Sequence, residues 1–452
     1  MSGIVSGIVS GIVSGIVNWP GIAFSAERQF DVTTLRPVNA SLQRDELPTM
    51  ADLSMIDAHS VSGSGTVANR ARQSPASWLA LWVLLAATAA CARPPAAESA
   101  PAPMHADTVW YVSTRARDDD GRDTRRQADS LEYGLAIFGY PAGQDARTDA
   151  LDLALADSVR LTAGDFAAAL RQRVQATVAP HDYAVFYVHG FGTSLHEAWT
   201  FAATARARAA TDAPWVAFCW PSNGSGIARP TLDEPLSQAY IDDSTAAVAS
   251  RPAFDRALRT VVAAAGAPRV MLVPHSLGGQ LVGETLAQDV PLRTLLGAAP
   301  LRAVAFMAPD VEARRFAEYL VPAVRPLTDR LLLYTSARDR VLEVSGERTQ
   351  TQRAGLHPGA PLTSEGLETV DVTDGVSAGG WLQQTFGNHH AIFRATASLF
   401  DLAWVVGGRR APGCRLAIGS AALDQAGVWR LTDSLPNARD VAERCSSPAP
   451  GR

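Results

Sequence analysis

Arg269-Val270-Met271-Leu272-Val273-Pro274-His275-Ser276-Leu277-Gly278-Gly279-Gln280 is an apolar, strand-like run passing into a helix, with a serine at the turn between them. A nucleophile elbow belongs at such a turn. A sharp, strained strand-to-helix bend lifts a serine Oγ above the sheet edge, and small neighbours relieve the crowding. Gly278 is one such neighbour. Pro274 stands where the G-x-S-x-G pattern has glycine; proline can end a strand there because the next amide need not join the ladder. The plainer reading of the same residues is a helix start, with Ser276 capping the amides behind it. The elbow reading adds a donor, because the Leu277 main-chain N–H at the helix N-terminus can serve an oxyanion.

Outward from this turn, beginning near Thr108, short β-rich runs alternate with longer Ala/Leu/Arg stretches of helical period. That alternation predicts an α/β fold, a mostly parallel central sheet with helices on both faces. Strands are expected at 108–113, 135–139, 183–188, 215–220, 270–273, 303–307 and 330–334, and helices at 194–209, 244–265 and 279–289. Ligands bind outside the carboxyl edge of such sheets, so the residues just past each run carry the chemistry.

Past 183–188 comes His189-Gly190-Phe191-Gly192-Thr193-Ser194, a glycine-containing turn before another helix. Glycines let the backbone approach a substrate closely, and the Phe191 main-chain N–H is the expected second oxyanion donor. His189 is expected to hold this turn rather than to act as a base. Past 330–334 comes Thr335-Ser336-Ala337-Arg338-Asp339, a carboxylate just beyond a strand. Asp310, in Ala308-Pro309-Asp310, is the competing acid. Asp339 is preferred, because Asp310 precedes the helical stretch 311–320 and reads as its N-cap. An exposed loop aspartate is the plain alternative for Asp339. The base should lie further on, and Phe386-Gly387-Asn388-His389-His390-Ala391-Ile392-Phe393 offers two adjacent histidines of which one can face the serine. His390 is preferred to His389. The carboxylate would hold the imidazole tautomer and stabilise the imidazolium as Ser276 loses its proton.

Composition narrows the chemistry. With 452 residues, 47% of them hydrophobic, the chain can bury one large core with appendages. A formal charge of −5 and no clustered basic stretch argue against nucleic acid as a partner. The sequence contains no lysine, so all 40 basic residues are arginine. A Walker-type lysine loop, a lysine Schiff base and a Ser-Lys dyad are thereby excluded, and a nucleophilic serine calls for histidine. His196-Glu197-Ala198-Trp199-Thr200 begins like a zincin helix, yet Thr200 stands where the second metal-binding histidine would be. No catalytic metal and no cofactor are expected.

The chain before the sheet reads as leader and linker. Residues 2–17 are four copies of Ser-Gly-Ile-Val, a period matching neither helix nor strand, and 1–69 reads as a low-complexity extension, with Met50 and Met55 as later candidate starts. Arg70 and Arg72, then the apolar run 78–90, then Cys91 have the order of a secretory signal peptide over 70–91. The run is shorter than the roughly 20 residues a bilayer span needs. Thr88-Ala89-Ala90-Cys91 resembles a bacterial lipobox, which would lipidate Cys91; an ordinary cleavage site with a cysteine nearby is the alternative. A Pro/Ala-rich linker at 92–107, a catalytic domain at 108–405 and a C-terminal extension at 406–452 complete the organisation. In an oxidising compartment Cys414 and Cys445 could close that extension, whereas Cys219, in an apolar run, reads as a buried hydrophobe.

Several motifs in one order carry a resemblance. Val109-Trp110-Tyr111-Val112-Ser113-Thr114-Arg115, Tyr133-Gly134, 188–191, Phe218-Cys219-Trp220-Pro221-Ser222-Asn223-Gly224, Tyr240 with Asp243, 275–278, 308–311, 334–339 and 390–393 together resemble a bacterial family of uncharacterised esterase/lipase-like α/β hydrolases over about 109–403. The resemblance implies the α/β-hydrolase fold and the triad Ser276, Asp339 and His390. It favours His390 because the family's histidine is followed by one small and then two bulky residues; Pro274, Ala391 and Ile392 depart from its pattern. The expected activity is hydrolysis of an ester or related acyl bond in a small-molecule or lipid substrate. The alternatives are acyl transfer by the same residues and a lipid-anchored scaffold that keeps the fold without catalysis. The expected location is exported, either periplasmic or membrane-anchored through the lipid.

Overall fold

A computed structural model describes residues 104–142, 144, 151–222, 236–374, 389, 395–417, 421–424, 426–432 and 445. The segment expected to be a leader, with Cys91, and His390 lie outside the described residues.

Five central strands are built from the apolar runs: β4 (Ala184–Val188), β5 (Trp215–Cys219), β6 (Val270–Pro274), β7 (Ala303–Met307) and β8 (Leu331–Thr335). Each is buried at every position. Strands covered on both faces need continuous apolar sequence rather than alternation, which is how these segments read. Around them lie β1 (Met104–Arg117), β2 (Asp123–Pro141), β3 (Ala154–Leu161), β9 (Leu367–Asp374), β10 (Ala421–Leu423) and β11 (Trp429–Thr432). These strands form one sheet in the order β10-β11-β9-β8-β7-β6-β4-β5-β1-β2-β3. Pairing is parallel from β11 through β1, and antiparallel for β1 with β2, β2 with β3 and β10 with β11.

Both faces carry helices. On one, α1 (Ala163–Ala176), α4 (Arg251–Ala265) and α5 (Leu277–Gln288) bury Leu170, Phe254, Leu258 and Leu281 against Phe186, Val216, Leu272 and Val304. On the other, α2 (Leu195–Arg208) and the segment 396–406 bury Trp199, Leu399 and Leu402 against Tyr187, Val273, Ala305 and Tyr334. Successive strand residues thus serve opposite cores, as period two requires.

The helix expected at 244–265 is two helices, α3 (Leu236–Ala249) and α4, separated at Ser250 with Pro252 in the first turn of α4. Proline is tolerated there, where its missing N–H has no intrahelical partner to lose. The helix α6 (Val290–Ala298) follows α5 after one residue, Asp289, which caps it, and α7 (Arg340–Thr349) follows β8. Glu197 completes a capping box with Ser194 at the start of α2, so the glutamate of the zincin-like stretch serves helix initiation.

Near the C-terminus Cys414 and Cys445 are disulfide-bonded, with Cα atoms 5.6 Å apart, and Cys219 is a buried free thiol. Beside Cys414, the fully buried Arg415 pairs with Asp401 and with Glu368, each at 2.9 Å. Among the described residues no helix is long and apolar enough to cross a membrane.

β4 hydrogen-bonds to β5 on one side and to β6 on the other. The chain leaves β4 for one edge and later returns to fill the other side. The carboxyl ends of β4 and β6 therefore flank the point where the strand order reverses, the place where ligands bind in such sheets.

Candidate active site

The β6–α5 turn is strained in the way an elbow demands. Ser276 has φ 52° and ψ −124°, a region that side chains other than glycine's seldom enter. The end of β7 and the loop after it hold it there: its amide donates to Met307 O at 3.1 Å and its carbonyl accepts from Asp310 N at 3.0 Å. The Ser276 side chain caps no amide of α5, so the plain helix-cap reading fails. Pro274 closes β6 opposite Val188. A Cβ on Gly278 would lie 2.5 Å from His189 O and 2.7 Å from Val188 O, so only glycine fits where the helix crosses the end of β4.

Beside Ser276, the loop after β4 comes so close that a Cβ on Gly190 would sit 3.2 Å from Ser276 Oγ. Gly192 has φ 62°. Neither the Phe191 amide nor the Leu277 amide has an acceptor among the described residues. The rest of the loop is tied down. Gly192 N donates to Asp243 Oδ2 at 2.9 Å, and Thr193 N to Ser222 Oγ at 3.1 Å. Ser222 Oγ in turn donates to Asp243 Oδ2. Arg115 Nη2 donates to Thr193 O at 2.7 Å and Ser222 O at 3.0 Å.

His189 is fully buried, stacked on Trp220 with ring centroids 4.9 Å apart, and its Nδ1 lies 3.0 Å from Gly190 O. Burial, and then the nearby Arg115 charge, push its pKa down to about 3. It is a neutral structural ring, as its place in the turn suggested.

Asp339 and His389 meet at the far side. Asp339 Oδ2 lies 2.8 Å from His389 Nδ1, with the two side chains 1% and 3% exposed. The other oxygen, Oδ1, accepts from Leu342 N at 3.0 Å and caps α7. Burial opposes protonation of His389, but the charge and hydrogen bond of Asp339, with Asp310 beyond, outweigh it and hold the imidazole above its ordinary value. The ring lies 4.7 Å from that of His275, the residue before the serine, and His275 Nε2 is 3.2 Å from His389 O.

His389, the residue not preferred from sequence, meets Asp339, and the preferred His390 lies outside the described residues. Asp310 departs from the expectation. Glu312, not Asp310, occupies the N-cap position of the short helix Ala313–Arg315. Asp310 is buried and accepts from Tyr240 OH at 2.7 Å and Ser345 Oγ at 2.8 Å, with Arg353 Nε at 3.1 Å. Asp243, Ser222 and Arg115 lie in the motifs that carry the resemblance, but the sequence assigns none of them a role. What marks them is burial of polar side chains around one loop, which sequence does not display.

The family profile described as "Alpha/beta hydrolase of unknown function (DUF900)" matches residues 166–398. No curated protein matches the chain. Among solved structures, similarity extends to a bacterial heroin esterase at 13% identity, covering 74% of this chain and 89% of that one with a TM-score of 0.24. A thermostable carboxylesterase, EstE1, from a metagenomic library aligns at 12% identity over 73% of this chain and 97% of that one, TM-score 0.26. Dipeptidyl peptidase 4 of Porphyromonas gingivalis aligns at 13% identity over 65% of this chain, which spans about half, 48%, of that enzyme, TM-score 0.25. With its parallel sheet, its strained elbow and a family profile matched over more than half of its length, the chain belongs to the DUF900 family of α/β hydrolases.

Proposed function

We propose that the protein is a serine hydrolase that cleaves an ester or related acyl bond, with Ser276 as nucleophile, His389 as general base and Asp339 as the group that orients it. The observation that carries this reading is the buried 2.8 Å contact of Asp339 with His389 beside an elbow in which a serine holds φ 52°. Asp339 fixes the tautomer by accepting from Nδ1–H, which leaves Nε2 as the acceptor a base requires. As Ser276 Oγ bonds to the acyl carbon, its proton passes to His389 Nε2 and the carbonyl pair moves onto oxygen. The Phe191 and Leu277 amides stabilise that oxyanion, each such donor being worth about 3 kcal/mol in the transition state. Collapse breaks the bond to the leaving oxygen, which takes the proton from His389. Water then repeats the sequence on the acyl-enzyme.

A fluorophosphonate probe tests the reading. Labelling of the wild type, abolished in Ser276→Ala and in His389→Ala, is expected; a folded wild type that resists labelling would instead leave a non-catalytic scaffold on this fold.

The reading includes export and a lipid anchor at Cys91. The Cys414–Cys445 disulfide supports it, since such bonds persist in oxidising compartments. Radiolabelled fatty acid incorporated by the wild type and not by Cys91→Ala would bear it out, whereas no incorporation would remove the anchor.

A further inference from the structure

We propose that Asp243 is a positioning residue for the oxyanion hole, holding the Gly190–Gly192 backbone in the one conformation that points the Phe191 amide at the substrate oxygen. The inference rests on the hydrolase reading above.

A peptide donor lowers a barrier only if it is oriented before the charge develops, since turning it during reaction spends the gain on reorganisation. Glycines on both sides of Phe191 leave its peptide free to rotate, and Gly192 sits at φ 62°. Something outside the loop must fix it. Asp243 is 1% exposed, and a buried carboxylate is costly unless its lone pairs are used. One oxygen accepts both the Gly192 amide, at 2.9 Å, and the Ser222 hydroxyl. Ser222 Oγ in turn accepts from Thr193 N, so two successive amides just past Phe191 trace back to one carboxylate. Charge-assisted bonds of this kind are about twice as strong as neutral ones.

A negative charge this near would by itself oppose an oxyanion. Arg115 answers it, interacting electrostatically with Asp243 while its Nη2 grips the Thr193 and Ser222 carbonyls. Loop, acid and base form one closed unit beneath the donor. The α3 helix delivers Asp243, and one turn earlier delivers Tyr240, whose hydroxyl bonds Asp310, the residue whose amide holds the Ser276 carbonyl. Residues three apart share a helix face. A single face of α3 therefore braces both the loop after β4 and the turn at Ser276, with Asp243 on the oxyanion side.

Hydrolysis of a p-nitrophenyl ester and inhibition by phenylboronic acid provide the test. Boronic acid adds to the serine and puts a tetrahedral anion in the hole. Asp243→Ala is expected to lower kcat about 10²-fold with KM changed less than about threefold, and to weaken boronate inhibition in parallel with kcat/KM. Asp243→Asn, which retains an acceptor, should recover part of both. If Asp243→Ala does not fold, Ser222→Ala carries the test, with the same pattern at about 10-fold. A lowered Tm with kcat and boronate inhibition unchanged would overturn the proposal while leaving the hydrolase reading intact. Absence of ester turnover and of fluorophosphonate labelling in the wild type would overturn both.

Discussion

Gly190 lies against Ser276 so closely that a Cβ on the glycine would stand 2.7 Å from the serine Cβ and 3.3 Å from His275 Nδ1. Any side chain there must displace Ser276 or the loop. Gly190→Ala is expected to destabilise by about 1–3 kcal/mol, the usual range for overpacking, and to slow fluorophosphonate labelling far more than that stability loss alone would suggest. Thermal unfolding and labelling rates on one preparation check both.

Of the adjacent histidines, only His389 is expected to matter for turnover. His389→Ala should abolish ester hydrolysis at neutral pH, while His390→Ala keeps most of it. The reverse result would restore the original preference and require the Asp339–His389 contact to be structural.

The Asp339–His389 pair fixes the direction of the pH profile. If His389 is the base it must be neutral, so kcat/KM is expected to fall as pH drops through a His389 pKa held above the ordinary 6.5. Asp339→Asn should move that limb to lower pH and cut kcat by about 10⁴-fold, because the favoured tautomer is lost. Stability runs oppositely. A raised folded-state pKa stabilises fully below the unfolded value, and that contribution fades as pH rises through the folded one.

His189 acts on the acid side of the stability curve. Its folded pKa, about 3, lies below the unfolded value of 6.5, so the unfolded chain takes up a proton that the native state refuses as pH falls between them. The wild type should lose stability over that interval, and His189→Gln should lose less. Equal Tm decreases between pH 7 and pH 5 in the two proteins would contradict this.

Arg415 makes the C-terminal region sensitive to one carboxylate. With Arg415 wholly buried, Asp401→Ala strands half of its compensation and also the Tyr334 hydroxyl, which bonds Asp401 at 2.7 Å. A loss of about 3–5 kcal/mol is expected. Urea midpoints measure it.

The sheet's centre was legible because β4 to β8 are uninterrupted apolar runs, whereas its margins were not. In β3, solvent meets nearly every side chain, Leu155 and Val159 included, so its apolar residues mark no buried face for a pattern to reveal. In β9, Glu368 and Asp371 break the apolar pattern, yet both are held in place by partners far along the chain: Glu368 by Arg330 and Arg415, Asp371 by His357. Such pairings exist only after folding. The site divides likewise. Ser276 and Asp339 stand out as candidates because each follows an apolar strand, and Gly190 and Gly192 because they follow another. The choice between His389 and His390, and the true partners of Asp310, depend on how distant segments pack.

Asp339 uses its two oxygens in two directions, one on the first turn of α7 and one on the imidazole. Helix and ring are therefore mechanically linked through a single rigid plane. Whatever tilts that helix also steers the imidazole, so substitutions on the outer face of α7, remote from any substrate, can tune turnover without touching the reacting groups.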